Sequence, residues 1–158
     1  MTELILNKLK IEKALNADWN LILEILNETG LRAWFTGAEN YSTFYTVKDI
    51  KSNKTIACFS VELENDIGIL KSFAVRKELQ GTGLGRHIAN KVSDVAGKLG
   101  LKKVYASSWE ASQFWIKTHF KKINKSDSTD EFFLKYVDDL DKKFPQFAEK
   151  TKHFLLVI

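Results

Sequence analysis

Three glycines at alternate positions, Gly81, Gly83 and Gly85, lie in the run Gln80-Gly81-Thr82-Gly83-Leu84-Gly85-Arg86. An apolar stretch from Ile69 to Val75 precedes them. Apolar residues at Leu84, Ile88, Val92, Val95 and Leu99 follow at helical spacing. The order strand, glycine loop, helix leaves several backbone N–H groups without carbonyl partners, at a helix end whose dipole favours negative charge. Glycine at these positions lets the backbone approach an anion with no Cβ in the way. The chemistry indicated is phosphate binding. Arg86, with Arg76 or Lys77, brings positive charge to the same place. The plainer reading is a strand-to-helix turn that only needs glycine.

Two phosphate loops of other kinds do not fit. A P-loop ends in Gly-Lys-Ser/Thr, whereas Gly85 is followed by Arg86-His87. A dinucleotide fingerprint counted from Gly81 and Gly83 meets Arg86 where the third glycine belongs, and no acidic residue follows the next strand. Among proton acceptors, Glu62 and Glu64 end a strand and share one face by alternation. Either withdraws a proton from a substrate or simply faces solvent. His87 and His153 have no Cys or Asp cluster beside them, so no metal site is indicated and both read as structural or exposed. Cys58, in mid-strand, reads as a small core residue.

The elements that must position these residues are legible in order. Residues 8–15 alternate as a first strand, and Asn16 or Asp18 caps a helix carrying Trp19, Ile22, Leu23 and Leu26, stopped by Gly30. Trp34 and Phe35 follow in a stretch without period, either tucked into the core edge or lining an acceptor pocket. Residues 42–48, 56–63 and 68–75 read as an antiparallel meander with short polar turns. After the loop and its helix to Gly100, residues 102–108 form a strand reached by a crossover and so parallel to its predecessor. Then come a helix over 111–119, a strand from Phe120 to Asn124, a helix over 129–143 closed by Pro145, and a last strand over 153–158.

The 158 residues are most economically one α/β domain, 1–158, with a mixed sheet. Apolar residues at 44% and charged residues at 28% are ordinary for a globular protein. The net charge of +4 is spread over dispersed lysines rather than a basic stripe with interleaved aromatics, which argues against nucleic acid. No apolar run approaches the ~20 residues that span a bilayer. The opening residues lack a signal-peptide pattern, and a single cysteine suits a reducing interior, so the expected location is cytoplasmic.

Gln80 to Gly85 matches Q/R-x-x-G-x-G/A, and on this the chain resembles the GCN5-related N-acetyltransferases (GNAT). The run Leu70 to Val75, four residues before Gln80, looks like that family's fourth strand. Phe114-Trp115 and Phe120 look like its late "FY…GF" landmark. The context of Glu62, Asp66 and Leu70–Val75 is most similar to the amino-acid N-acetyltransferase and ArsN2-like branch. The resemblance implies a GNAT fold, with a mostly antiparallel sheet splayed between strands 4 and 5 and flanked by helices. It implies acetyl-CoA as cofactor, with its pyrophosphate on Gln80, Gly81, Thr82, Gly83, Leu84, Gly85 and Arg86, and its pantetheine along Phe73, Ala74 and Val75. A homodimer is common among such enzymes.

Acetyl transfer to a primary amine needs a proton acceptor, because an ammonium has no lone pair. Glu62 is the candidate catalytic residue. Lys71, where the branch has arginine, and Ser72 are candidates for holding a small amino-acid-like substrate. The oxyanion needs a backbone N–H near Phe73 or Ala74. The tyrosine that serves many relatives as proton donor falls on Trp115, which carries no acidic proton, and the glycine of "GF" is His119. Trp115 is then expected against the pantetheine or acetyl group, with Tyr105, Ser107, Ser108 or water as the donor. Rival readings are an acetyltransferase acting on a protein N-terminus or lysine, and a non-catalytic acyl-CoA-binding module.

Overall fold

The computed structural model describes residues 8–35 and 39–158, apart from the side chain of Trp34. Seven strands form one sheet: β1 (Leu9–Lys13), β2 (Phe44–Asp49), β3 (Lys54–Glu64), β4 (Ile67–Val75), β5 (Lys103–Ser108), β6 (Lys121–Ile123) and β7 (Lys152–Val157), in the order β1-β2-β3-β4-β5-β7-β6. Pairing is antiparallel except that β4 and β5 are parallel. The helices are α1 (Trp19–Glu28), α2 (Leu84–Asn90), α3 (Val92–Lys98), α4 (Ser112–Ile116) and α5 (Glu131–Lys143). The mixed α/β architecture and the parallel crossover agree with the sequence.

The chain divides into two compact units. One takes in the residues through Glu62 together with Leu70–His87; the other takes in Leu63–Ile69 and Ile88–Ile158. In the first, Ile22, Ile25 and Leu26 of α1 pack with Phe44, Cys58 and Ala74 of the sheet. The spacing of Ile22, Ile25 and Leu26 is what gives α1 one apolar face. Phe35 belongs to this core too, stacked on Trp19 with ring centroids 6.3 Å apart. Burial pushes the Cys58 thiol up to about 12, so it stays an inert core residue. In the second unit Phe133 and Val137 of α5 pack on Tyr105, whose ring stacks on Phe133 at 3.9 Å.

Local chemistry sets the element ends, sometimes otherwise than the sequence suggests. Gly30 does stop α1 in the left-handed conformation, at φ 77°. No side chain caps the start of α1; the Asp18 carboxylate turns back to accept the Leu15 N–H at 2.7 Å, closing a 3-10 turn over Asn16–Asp18. The helix expected from Leu84 to Gly100 is broken at Lys91. There the Ser93 hydroxyl donates to Asn90 O at 3.1 Å, while the Asp94 N–H bonds Lys91 O instead. A serine hydroxyl competing for a helix carbonyl disturbs the ladder in this way.

Candidate functional site

The glycine loop joins β4 to α2, as its sequence requires. Gly81 and Gly83 adopt φ 78° and 88°, conformations that L side chains rarely take. A Cβ built on either would meet nothing within 4 Å, so both backbones face open space. Thr82 Oγ1 donates to Leu79 O at 2.6 Å, and the Gln80 amide donates to Val75 O at 3.1 Å. These two bonds fold the loop back on the end of β4. The backbone ladder of α2 begins only with the His87 N–H donated to Gly83 O at 3.1 Å. Among the described residues, the N–H groups of Gly81, Thr82, Gly83, Gly85 and Arg86 donate to no protein acceptor. A glycine-walled group of unclaimed N–H donors is a fitting receptor for phosphate oxygens.

Charge near the loop is distributed differently from the expectation. Arg76 does not turn toward the loop donors. Its Nη1 lies 3.0 Å from Glu24 Oε1 and 3.4 Å from Glu28 Oε2, and its Nε donates to Thr55 O at 3.0 Å. The reason is topological: β4 ends beside α1, whose last two turns carry both carboxylates. Arg86, exposed in the first turn of α2, remains a cation for the loop.

β4 carries the strained residue of the site. Ser72 sits at φ 52° within the strand, a left-handed residue that interrupts the pleat. Beyond it the alternation resumes. The Arg76 N–H donates to Ile56 O of β3 at 2.9 Å, so the amide groups of Phe73 and Val75 face the strand edge turned away from β3. Phe73 stacks on Phe59 at 6.2 Å, and Ala74 and Val75 are buried.

The two residues singled out for the acceptor are brought together. Lys71 Nζ lies 3.1 Å from Glu62 Oε1, with the lysine side chain 15% and the glutamate 38% exposed. Glu64, on the same strand face, is exposed. The candidate proton donors in the second unit all have hydrogen-bond partners, Ser108 as an acceptor only. Tyr105 OH donates to Asp130 and lies 2.9 Å from Ser128 Oγ; burial, and then the Asp130 carboxylate, push its phenol up to about 12. A phenol held so high is a poor acid toward a thiolate. Ser107 Oγ lies 2.7 Å from His153 Nδ1, and burial lowers the His153 imidazole below its ordinary value. Ser108 Oγ accepts from the Ala111 N–H at 2.9 Å.

Trp115 is 6% exposed, edge-on to Phe114 and Phe120, both at 5.1 Å. At His119, where the landmark has glycine, the backbone N–H donates to Asn90 Oδ1 at 2.8 Å. His87 is partly buried, and its Nε2 is enclosed with no hydrogen-bond partner among the described residues. Phe35 packs in the core, and the Trp34 side chain and residues 36–38 lie outside the described residues. The described residues hold no group of three His, Cys, Asp or Glu fit for a metal, and no helix long and apolar enough to cross a membrane.

Known proteins resemble this chain in sequence pattern and in fold. The sequence pattern of the Acetyltransferase (GNAT) family matches residues 10–120. No curated protein sequence is similar enough to count as a match. Among solved structures, N-acetylglutamate synthase from Neisseria gonorrhoeae, complexed with coenzyme A and N-acetyl-glutamate, is similar at TM-score 0.72 and 14% identity. The match covers 94% of this chain and only 35% of that one. The Mycobacterium tuberculosis protein Rv2747, in complex with CoA, is similar at TM-score 0.70 and 18% identity, over 94% of this chain and 99% of that one. Spermidine N-acetyltransferase from Vibrio cholerae, with CoA and spermine, is similar at 0.61 and 15%, over 75% and 83%.

Proposed function

The chain belongs to the acetyltransferase (GNAT) family, and from that premise we propose that it transfers acetyl from acetyl-CoA to the primary amine of a small amino-acid-like molecule. The observation that carries the reading is the glycine loop, with its unclaimed N–H groups behind two glycines that face open space. Gln80 to Arg86 hold the pyrophosphate, and the β4 edge presented by Phe73 and Val75 aligns the thioester arm. Acetyl-CoA supplies an activated carbonyl and a thiol leaving group of pKa ~8.5. Such a leaving group reduces the need for a protein acid, in keeping with an engaged Tyr105 and a non-titrating Trp115.

The Lys71–Glu62 pair supplies the acceptor end. A cation and an anion 3.1 Å apart are complementary to an amine and a carboxylate carried close together on one molecule. The incoming carboxylate takes Lys71, and Glu62, released from its partner, accepts the proton that the ammonium must lose. N-acetylglutamate synthase among the similar structures supports a substrate of this class.

The test is thiol release from acetyl-CoA with amino acids and their carboxamides. Turnover should favour the free carboxylates, and Lys71→Met should erase that preference. Equal rates on acids and amides would remove the amino-acid reading and favour a peptide or polyamine acceptor. Tight CoA binding without turnover on any amine would leave a non-catalytic module.

A further inference from the structure

Arg76 and Lys77 open the segment that leads from β4 into the glycine loop, and both are fastened to the C-terminal turns of α1. The Arg76 backbone N–H bonds Ile56 O at 2.9 Å and its Nε bonds Thr55 O at 3.0 Å, so the residue is fixed to β3. Glu28 then spends its two carboxylate oxygens on different groups. Oε2 faces the Arg76 guanidinium at 3.4 Å, and Oε1 accepts the Lys77 N–H at 3.1 Å. Glu24 also reaches Arg76, at 3.0 Å, but its side chain is 62% exposed against 32% for Glu28. An exposed ion pair is worth little, whereas a charge-assisted bond to a backbone N–H is among the stronger kind.

We infer that Glu28 is a positioning residue for acetyl-CoA: it pins the chain at Lys77, so that the unclaimed N–H groups of Gly81, Thr82, Gly83, Gly85 and Arg86 are held in place for one anion. The inference rests on the reading of the loop as a pyrophosphate site. A receptor made of backbone donors depends on being held in place before the ligand arrives, because ordering it afterwards is subtracted from affinity. The sign of the charge makes the role separable from electrostatics. Glu28 is an anion near a loop built for anions, so neutralising it alone favours phosphate, while removing its bond to Lys77 disfavours it. Glu28→Gln keeps an acceptor oxygen for the Lys77 N–H without the charge. Glu28→Ala removes both.

CoA is titrated calorimetrically into the wild type and the two variants, and steady-state rates are then taken with acetyl-CoA as the varied substrate. Losing this exposed charge-assisted bond, offset in part by the anion removed from beside the loop, should weaken CoA binding of Glu28→Ala roughly five- to tenfold. Its KM for acetyl-CoA should rise in proportion, with kcat and the KM for the amine unchanged. Glu28→Gln should bind CoA as well as the wild type or better. If Glu28→Ala does not fold, Glu28→Asp, which withdraws the carboxylate by one methylene, should weaken binding in the same sense. Wild-type affinity in Glu28→Ala, equal losses in the Ala and Gln variants, or a fall in kcat instead of a rise in KM would each overturn the inference. Failure of the wild type itself to bind CoA would overturn the reading of the loop.

Discussion

Gly83→Ala separates backbone strain from ligand binding, because the structure provides a matched control. Gly83 has φ 88° and Gly100 has φ 75°, and a Cβ at either meets nothing within 4 Å. The stability cost of alanine is therefore the left-handed penalty alone at both positions, about 1–2 kcal/mol. For a chain of this length that lowers the melting temperature by about 2–8 °C. Neither variant loses enough to unfold, since domains carry about 5–15 kcal/mol. Their binding should differ. Gly100 ends α3, where its N–H and that of Leu101 bond Gly97 O at 3.1 Å and Ala96 O at 3.0 Å. Gly83 stands among the donors of the loop, and on the proposed placement of the pyrophosphate its new methyl enters the space a phosphate oxygen would take. Each displaced charge-assisted hydrogen bond is worth about 1.5–3 kcal/mol, so affinity for CoA should fall roughly tenfold to a hundredfold or more. Thermal melts followed by calorimetric titration read both quantities. Equal melting losses with CoA binding lost only in Gly83→Ala is the expected result. Unchanged CoA affinity in Gly83→Ala would refute the placement of the pyrophosphate, and an equal affinity loss in Gly100→Ala would show that strain alone had acted.

Two further outcomes follow from residues around the site. Ser72 lies in a strand but at φ 52°, where a β-branched side chain fits badly, so Ser72→Val should destabilise by about 1–2 kcal/mol in denaturant melts although valine is the better strand former. A gain in stability would contradict the left-handed geometry. The Tyr105 phenol, raised in the fold from about 10 to about 12, keeps its proton more tightly than in the unfolded chain, so its contribution is complete below pH 10 and is lost as pH rises through about 12. Tyr105→Phe should flatten stability against pH in that window and leave acetyl transfer at neutral pH within about twofold, as expected of a hydroxyl committed to Asp130 and Ser128. A hundredfold loss of turnover would instead make it the missing acid.

What could be read from the chain alone was whatever neighbours in sequence decide. The strand and helix periods come from side chains two to four positions apart. The glycine loop announces itself because Gly81 and Gly83 must take positive φ where other residues resist it. Even Gly30 as the stop of α1 is a local matter. The folded chain decided what each charged or polar side chain touches, since those partners are distant in sequence. Arg76 reads as a phosphate ligand until α1, about fifty residues earlier in the chain, brings Glu24 and Glu28 to it. Tyr105 and Ser107 read as proton donors until Asp130 and His153 occupy them. Glu62 and Lys71, read separately as a base and a carboxylate holder, become a single ion pair once β3 folds back on β4. The strain at Ser72 also had no sequence signal, because only the pleat on either side of it holds a serine at φ 52°. Backbone geometry is written locally, but an ionisable group takes its role from whichever partner the topology sets beside it.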